Sequence, residues 1–403
     1  MRINMIAIRK HIILALGYFF LVALLGVVLR LFFFADVPAT YKFMVHTHSH
    51  VALLGWVYVG LTSLIYILFL KDAGIDKVYR RIFWFTQLTI LGMLLSFPFQ
   101  GYALFSIVFS TLFLVASYFF AWMVFTKTPV EFKSRFSYKC IRASLIYMII
   151  SSIGPWALGG IMSALGSTSI WYKLAIYFYL HFQYNAWFVL ALCGMLFFIA
   201  ENNKLKISRR DFKSFFIFIN IAIVLTFFLS VLWTQPNLIF YNLAGIGAVL
   251  QLFVFLKFYS ILKSAGLGSV IMPFSKQLLV IAGWVLVVKL LAQLLSALPY
   301  FADLAYRTPD FVIAYLHWIF LGLISPVLFA LLIHFKLMRL SKIGFWIFFS
   351  GFVITELILL YRGLAMWQRW QLPEDLAVYL FAGSCLFPIG IGWILLTKLR
   401  TKA

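Results

Sequence analysis

Three of the chain's seven histidines fall at every second position near the amino terminus. Residues 44–50 read MVHTHSH, and the apolar run VALLGW follows at once at residues 51–56. A neutral imidazole is a ligand that suits heme iron, copper and zinc. His46, His48 and His50 are therefore candidates for a metal or cofactor site. The alternative for any one of them is an interfacial side chain that bonds lipid headgroups or a neighbouring helix.

Two more histidines lie inside aromatic-rich apolar runs, His181 in YLHFQYN (179–185) and His317 in YLHW (315–318). Each lies about six or seven residues into its run, which is roughly 10 Å at a rise of 1.5 Å per residue. Polar residues at that depth in a membrane helix usually face the bundle interior and mark a functional site. His11 and His334 lie at the opposite ends of their runs, and both are expected to be interfacial.

The elements that position these histidines must be membrane helices, because the chain is 65% hydrophobic and only 11% charged. Such a composition excludes a soluble globular protein. The three cysteines lie far apart and outside any CxxC pattern, which argues against a disulfide framework and a cysteine metal site. The net charge of +22 does not indicate nucleic acid, because the basic residues fall in short segments between apolar stretches.

About twelve apolar runs are long enough, at about 20 residues each, to cross roughly 30 Å of hydrocarbon. They lie near residues 12–34, 48–70, 82–98, 101–126, 140–165, 174–199, 214–233, 238–262, 277–297, 311–335, 343–361 and 376–397. The first run lacks a small-residue cleavage site and is expected to be a retained helix. The sequence thus predicts an all-α polytopic membrane protein with one transmembrane domain, residues 1–403, and no internal repeat.

The distribution of lysine and arginine predicts the orientation of these spans. If the amino terminus is cytoplasmic, most of the 33 basic residues fall on the cytoplasmic side. Lys289 lies within span 9, and the basic residues left on the outer side are Arg30, Lys42, Lys173, Arg307, Arg362 and Arg369. Because short cytoplasmic loops carry an excess of basic residues, both termini are expected inside, in a bacterial-type inner (plasma) membrane.

With this orientation, spans 2, 6 and 10 each bring a histidine to the outer third of the membrane. Helical bundles build metal and cofactor sites from side chains on facing helices. No cysteine lies nearby and no acidic residue lies at the same depth, so a di-iron or calcium site is disfavoured. Heme iron, copper and zinc remain, and a pair of histidines from two helices suits a six-coordinate heme.

A heme also needs counter-charges for its propionates. Arg30 at the outer end of span 1, and Arg362 and Arg369 after span 11, lie on the same predicted side as the histidines. Arginine suits carboxylates because its planar fork can bond them bidentately. Snorkelling of these arginines to the membrane surface is the alternative.

These features resemble the catalytic subunit of heme-copper oxidases and nitric oxide reductases, the family of cytochrome c oxidase subunit I. The shared features are about twelve spans with both ends inside, histidines on spans 2, 6 and 10, and arginines after span 11. The stretch from His48 to Trp56 is similar to the HxHxxLLGW stretch of short, diverged proteins grouped with that subunit. The topological likeness covers the whole chain, and the motif likeness covers only some dozens of residues.

The resemblance implies a low-spin heme b with His50 as the first choice of axial ligand, His48 as the second, and His317 as the opposite ligand. It also implies that His181 corresponds to a copper ligand. Tyr184 is similar to the tyrosine near that histidine in some oxidases, although its spacing is i, i+3 rather than i, i+4.

His46 lies one turn before His50, and the two are expected to share a helix face while His48 points roughly opposite. As a neighbour of the axial ligand, His46 is expected to join the metal site, bond a propionate, or hold the tautomer of the ligand ring.

The chain departs from this family at two places. No histidine occurs between His181 and His317, where the family has an adjacent copper-binding pair on span 7. Span 10 carries His317 without a second histidine close by, since His334 is about 25 Å further along the helix. A three-histidine copper site and an axial ligand for a second heme are therefore not expected, which makes bound copper and the full reduction of oxygen to water doubtful.

Two ionisable residues lie deep in predicted spans. Lys289 in span 9 and Glu356 near the middle of span 11 are costly in lipid, so both are expected to face the interior or each other. They could form a buried pair or, together with Tyr184, a proton path, and the sequence leaves both interpretations open.

Three functions remain open at this point. The first is a diverged heme-copper-oxidase-like protein for electron transfer or for handling or sensing O2 or NO. As a degenerate oxidoreductase of that kind, it would have an electron-donor or respiratory partner subunit. The second is a transporter whose outer histidines bind copper or zinc during uptake. The third is a heme-free assembly or structural protein on the same fold.

Overall fold

The apolar runs form long helices, because a chain in lipid must satisfy its backbone hydrogen bonds within each spanning segment. The computed structural model of the chain describes residues 5–400 and the side chains of residues 8–397. Within these residues every regular element is helical and no strand occurs. Twelve helices of the described part are long and apolar enough to cross a membrane. The all-α, polytopic fold expected from the sequence is therefore confirmed.

The twelve spans follow the predicted runs to within a few residues at most ends. Their bounds are Ile8–Leu31, Tyr41–Phe69, Asp76–Gln100, Leu104–Lys127, Phe136–Ala164, Ile170–Asn202, Arg209–Thr234, Leu238–Ser264, Pro273–Ser296, Pro309–His334, Lys342–Gln368 and Leu376–Thr397. Short helices outside the spans cover Val130–Lys133, Leu267–Val270 and Pro299–Arg307. The largest differences, of seven residues each, are at the start of span 2 and the end of span 11. Span 2 begins at Tyr41, so that all three clustered histidines lie within the helix, and span 11 ends at Gln368, so that Arg362, expected after the span, lies within it.

Three spans are interrupted by a π-helix, and each interruption begins directly after a histidine or one residue later. Span 2 consists of α-helix Tyr41–Val51, π-helix Ala52–Tyr58 and α-helix Val59–Phe69. Span 6 consists of Ile170–His181, π-helix Phe182–Trp187 and Phe188–Asn202. Span 10 consists of Pro309–His317, π-helix Trp318–Ile324 and Ser325–His334. Short π-segments within α-helices are rare and are frequent at functional sites.

The same three spans are the most buried of the twelve. In spans 2, 6 and 10, 94%, 100% and 72% of an 18-residue apolar stretch is buried, against 33–44% in the other nine. Each carries a histidine followed five residues later by glycine or alanine, at Gly55, Ala186 and Gly322. A local pattern of histidine, π-helix and small residue thus recurs every four spans.

The helices form two compact units. The first comprises Met1–Pro129 and Leu328–Ala403, and therefore spans 1–4, the end of span 10, and spans 11 and 12. Spans 11 and 12 pack closely, because a side-chain carbon added at Gly344 would lie 2.9 Å from the carbonyl oxygen of Gly390. Small residues allow such close approach of membrane helices. Phe19 of span 1 stacks on Trp56 of span 2, with centroids 4.8 Å apart.

The second unit comprises Val130–Val327, and therefore spans 5–9 and most of span 10. The carboxylate of Glu201, at the end of span 6, accepts a 2.7 Å hydrogen bond from the backbone N–H of Phe136 at the start of span 5. This side chain satisfies a donor that the helix itself leaves unpaired. Asp211 and Lys257 form a 3.0 Å salt bridge between spans 7 and 8.

Candidate functional site

The three histidines of span 2 point to two sides of the helix, as their spacing predicts. The rings of His46 and His50 lie against the turn between spans 3 and 4. His46 meets Tyr102 edge-on with centroids 4.6 Å apart, and His50 lies 4.5 Å from the ring of Phe97. The ring of His48 faces span 1 instead, where its Cε1 atom would lie 3.2 Å from a side-chain carbon added at Gly26.

Backbone carbonyl groups fix the tautomers of His48 and His50. The Nδ1 atom of His48 lies 3.1 Å from the carbonyl oxygen of Val22, and Nδ1 of His50 lies 2.8 Å from the carbonyl oxygen of His46. A carbonyl oxygen can only accept, so in each neutral ring Nδ1 carries the proton and Nε2 is the acceptor nitrogen. Both rings therefore have the form in which Nε2 can coordinate a metal.

The two rings differ in what lies at Nε2 and in their neighbours. The hydroxyl of Tyr102 lies 3.2 Å from Nε2 of His50 and donates to it. His48 lies against Gly26, and Arg30 follows one helical turn later on span 1, about 6 Å towards the predicted outer end. Hence His50 is engaged by a phenol, whereas His48 faces the span that carries Arg30 one turn beyond Gly26.

The arginines predicted to balance propionates all lie in the first unit, in unlike settings. Arg30 is buried. The guanidinium of Arg362 lies 5.6 Å above the ring of Phe33, just beyond span 1. Arg369 is exposed and caps span 11 in the left-handed conformation, with φ of 56°. Arg30 and Arg362 thus fit the predicted role better than Arg369 does.

His181 in the second unit belongs to a buried hydrogen-bonded chain. Its Nε2 lies 2.9 Å from the carbonyl oxygen of Ile223 and must donate to it. Its Nδ1 accepts from the amide nitrogen of Asn185 at 3.2 Å, and the amide oxygen of Asn185 accepts from Nζ of Lys289 at 2.7 Å. Both ring nitrogens are engaged, so this arrangement does not favour His181 as a copper ligand.

The structure gives Lys289 a specific partner, Asn185. The sequence had predicted only that Lys289 faces the interior or Glu356. Lys289, Asn185 and His181 are 2%, 3% and 1% exposed, so the amine lies in the protein interior as expected for a membrane-embedded charge. Lys289 thus contacts the amide of Asn185. The signal for Asn185 was its position four residues after His181.

Tyr184 and His317 lie in the second unit, on spans 6 and 10. Tyr184 is buried in the π-helix of span 6, and its ring meets Tyr315 and Phe320 at centroid distances of 6.4 and 6.1 Å. These two aromatic residues flank His317, which ends the first α-helical segment of span 10 and is half-buried. Tyr184 therefore packs against span 10 rather than contacting His181 directly.

No group of three or more His, Cys, Asp or Glu side chains that could hold a metal ion occurs in the part of the chain that the structure describes. A site for heme does not need such a group, because each axial position takes a single side chain. The histidines of span 2 thus offer single ring nitrogens rather than a preformed multi-ligand cage.

The chain matches no model of a known protein family and no curated protein. The arguments about function therefore rest on the residues and contacts described above.

Proposed function

We propose that the protein is a multi-pass membrane protein that binds a b-type heme at the predicted outer end of its first unit, with His48 as an axial ligand. It would serve in electron transfer or in handling a diatomic gas such as O2 or NO, in a bacterial-type plasma membrane. An electron-donor or respiratory subunit would be its partner. The heme, when bound, supplies the one-electron couple of its iron.

The observation that carries this proposal is the anchoring of the His48 ring. Its Nδ1–H donates to the carbonyl oxygen of Val22, and the absence of a side chain at Gly26 lets the ring lie against span 1. A ligand histidine is commonly oriented by such a bond to its other nitrogen, which sets the tautomer and raises the basicity of the coordinating nitrogen. Nε2 of His48 is therefore suited to coordinate the iron of a heme.

The neighbouring charges also fit the proposal. Arg30 lies one turn from Gly26, and Arg362 lies against Phe33, three residues beyond Arg30. Guanidinium groups near the histidine would compensate propionate charges in a region of low dielectric constant.

His50 is the second candidate for the axial ligand, and this reverses the order that the resemblance implies. Coordination through its Nε2 would first require the loss of the hydrogen bond from Tyr102. The backbone of His46 holds the tautomer of His50, which is one of the roles expected for a neighbour of the ligand. His317, the opposite ligand that the resemblance implies, stays a prediction from the sequence.

A visible spectrum of the detergent-purified protein tests the proposal. We expect a reduced-minus-oxidised spectrum of a low-spin b-type heme, together with iron in the elemental analysis. His48→Ala should abolish the spectrum, whereas His46→Ala should only weaken or shift it. Protein that contains stoichiometric copper or zinc and no heme would instead support the metal-transport alternative. Protein that contains neither iron nor heme after expression with added heme would reject the proposal.

A further inference from the structure

A second cluster of ionisable side chains lies in the first unit, at the ends of spans 1, 2 and 3 that are predicted to face inside. It consists of His11, Ser63, Tyr66, Asp76 and Tyr79, which we call the inner tyrosine cluster. None of these residues is more than 7% exposed. The ring of His11, which was expected to be interfacial, lies near the end of span 1 and contacts the neighbouring span 3.

Each of the two phenols in the inner tyrosine cluster lies within hydrogen-bond distance of a side chain that can act as a base. The hydroxyl of Tyr79 lies 3.2 Å from Nδ1 of His11 and 3.5 Å from Oγ of Ser63. The hydroxyl of Tyr66 donates to the carboxylate of Asp76. Asp76 lies in the first turn of span 3, where the helix dipole favours a negative charge.

The rings of the two tyrosines are stacked face to face. Their centroids are 3.6 Å apart and their planes differ by 10°. The ring of His11 is fixed in turn by stacking on Phe83, at 3.6 Å and 14°. The cluster is thus a rigid pair of phenols in contact, each hydrogen-bonded to a base and shielded from water.

The two phenols have side-chain partners that can act as bases, which is more than a buried hydroxyl requires. Burial of a phenol needs only one partner, and a backbone carbonyl would serve. Tyr147 shows that simpler arrangement, because its hydroxyl donates to the carbonyl oxygen of Asn220 at 3.5 Å. A base is required when a phenol is oxidised, since the cation formed by loss of an electron must release its proton and an isolated positive charge is costly in an apolar interior.

We propose that Tyr79 is a one-electron redox site and that the inner tyrosine cluster stores an oxidising equivalent. A high-potential metal complex, of the class of ruthenium(III) tris-bipyridine, takes one electron from Tyr79, and its metal is reduced from the +3 to the +2 state. The phenol O–H bond breaks as an N–H bond forms at Nδ1 of His11, which leaves a neutral tyrosyl radical beside an imidazolium. Return of one electron to Tyr79 and of the proton to its oxygen restores the starting state.

Tyr66 and Asp76 would support this step in two ways. The stacked ring of Tyr66 can share the unpaired electron, because the two aromatic systems are in contact. The negative charge of Asp76 lies within the same hydrogen-bonded cluster and offsets the imidazolium charge of His11. The inference does not depend on heme binding, since any sufficiently strong one-electron oxidant could act.

Photo-oxidation of the full-length protein in detergent tests the inference. A ruthenium(III) tris-bipyridine oxidant is generated by a flash in the presence of a sacrificial acceptor, and the radicals that persist after an interval are recorded by electron paramagnetic resonance. We expect a persistent tyrosyl signal that is lost in Tyr79→Phe. The matched control Tyr147→Phe, which removes a buried phenol without a basic side-chain partner, should retain the signal. An undiminished signal in Tyr79→Phe would overturn the inference.

The role of His11 requires a separate readout. His11→Phe keeps a ring to stack on Phe83 but removes the base, so the persistent signal should be lost while the melting temperature shows whether the variant is folded. In the wild-type protein, transfer to D2O should change a hyperfine coupling that arises from the proton held between His11 and Tyr79. A persistent signal that shows no exchangeable coupling would contradict proton transfer to His11, and this measurement needs no variant.

Discussion

Spans 2 and 6 both carry histidines shortly before a π-helix. The rings of His48 and His50 in span 2 have the opposite tautomer to the ring in span 6. In span 2, Nδ1 of His48 and of His50 donates to a carbonyl oxygen and Nε2 is the acceptor. In span 6, Nε2 of His181 donates to a carbonyl oxygen and Nδ1 accepts from Asn185. Position alone therefore does not make a histidine a ligand, and the backbone groups that face the ring decide which nitrogen is available.

The two regions also differ in what surrounds the ring. The span 2 histidines are half-buried and lie near the predicted outer surface with two arginines of the same unit. His181 is buried and connects through an amide to the amine of Lys289. The first setting suits a histidine that coordinates a metal brought in with a cofactor. The second suits a fixed internal network that positions helices.

The largest expected effect separates the two regions by their spectra. His48→Ala should remove the low-spin heme absorbance, whereas His181→Ala should leave its position and its amount per folded protein unchanged. The measurement is the reduced-minus-oxidised spectrum normalised to monodisperse protein. Loss of the spectrum in His181→Ala, with His48→Ala intact, would invert the comparison and restore His181 as a ligand.

The next effect concerns the stability of the second unit. Asn185→Leu should leave the Nδ1 atom of His181 and the amine of Lys289 without their shared partner. A buried donor or acceptor that loses its partner costs about 1–3 kcal/mol, and more where a charge is involved. We therefore expect a clear fall in the thermal midpoint of the detergent-purified variant.

A double mutant identifies the source of that loss. Adding Lys289→Met to Asn185→Leu removes the stranded amine, so the double variant should be more stable than the sum of the two single changes predicts. Strict additivity would show that Asn185 and Lys289 are not coupled.

Most of the fold was predictable from the sequence, because a membrane requires helices of about 20 apolar residues and the runs of this chain are well separated. The start of span 2 was placed too late, since residues 41–47 include polar side chains that lower the local hydropathy. The opposed faces of His46 and His48 followed from helical geometry. The donor and acceptor roles of the rings did not, because the carbonyl groups of Val22 and Ile223 belong to other spans and any residue could supply them.

The inner tyrosine cluster was missed for a related reason. Its members come from three spans, and no spacing within one segment brings Tyr79 to His11. The only local signal was Asp76 at the start of an apolar run, which is equally typical of a helix terminus.

A smaller effect should follow from a change next to the π-helix of span 2. A side-chain carbon added at Gly55 would lie 2.6 Å from Cβ of Tyr18, so Gly55→Ala should force span 1 and span 2 apart locally. Overpacking of this kind costs about 1–3 kcal/mol. The matched change in span 6, Ala186→Gly, adds no atoms and should cost about 0.5–1 kcal/mol through backbone entropy. Thermal midpoints of the two variants test this order, and a greater loss in Ala186→Gly would contradict it.

The smallest expected effect distinguishes the outer arginines. Arg369 is exposed and holds the left-handed conformation at the end of span 11, with φ of 56°. Glycine adopts that conformation at less cost than any other residue, so Arg369→Gly should stabilise the protein by up to about 1 kcal/mol. Because Arg369 is exposed to solvent, Arg369→Gly should leave the heme spectrum and heme content unchanged. Arg362→Gln should instead lower the reduction potential of the heme, because it removes a nearby positive charge. The measurement is a potentiometric titration of the wild-type protein, Arg369→Gly and Arg362→Gln. If the reduction potential fell as far in Arg369→Gly as in Arg362→Gln, the exposed arginine would be a propionate partner.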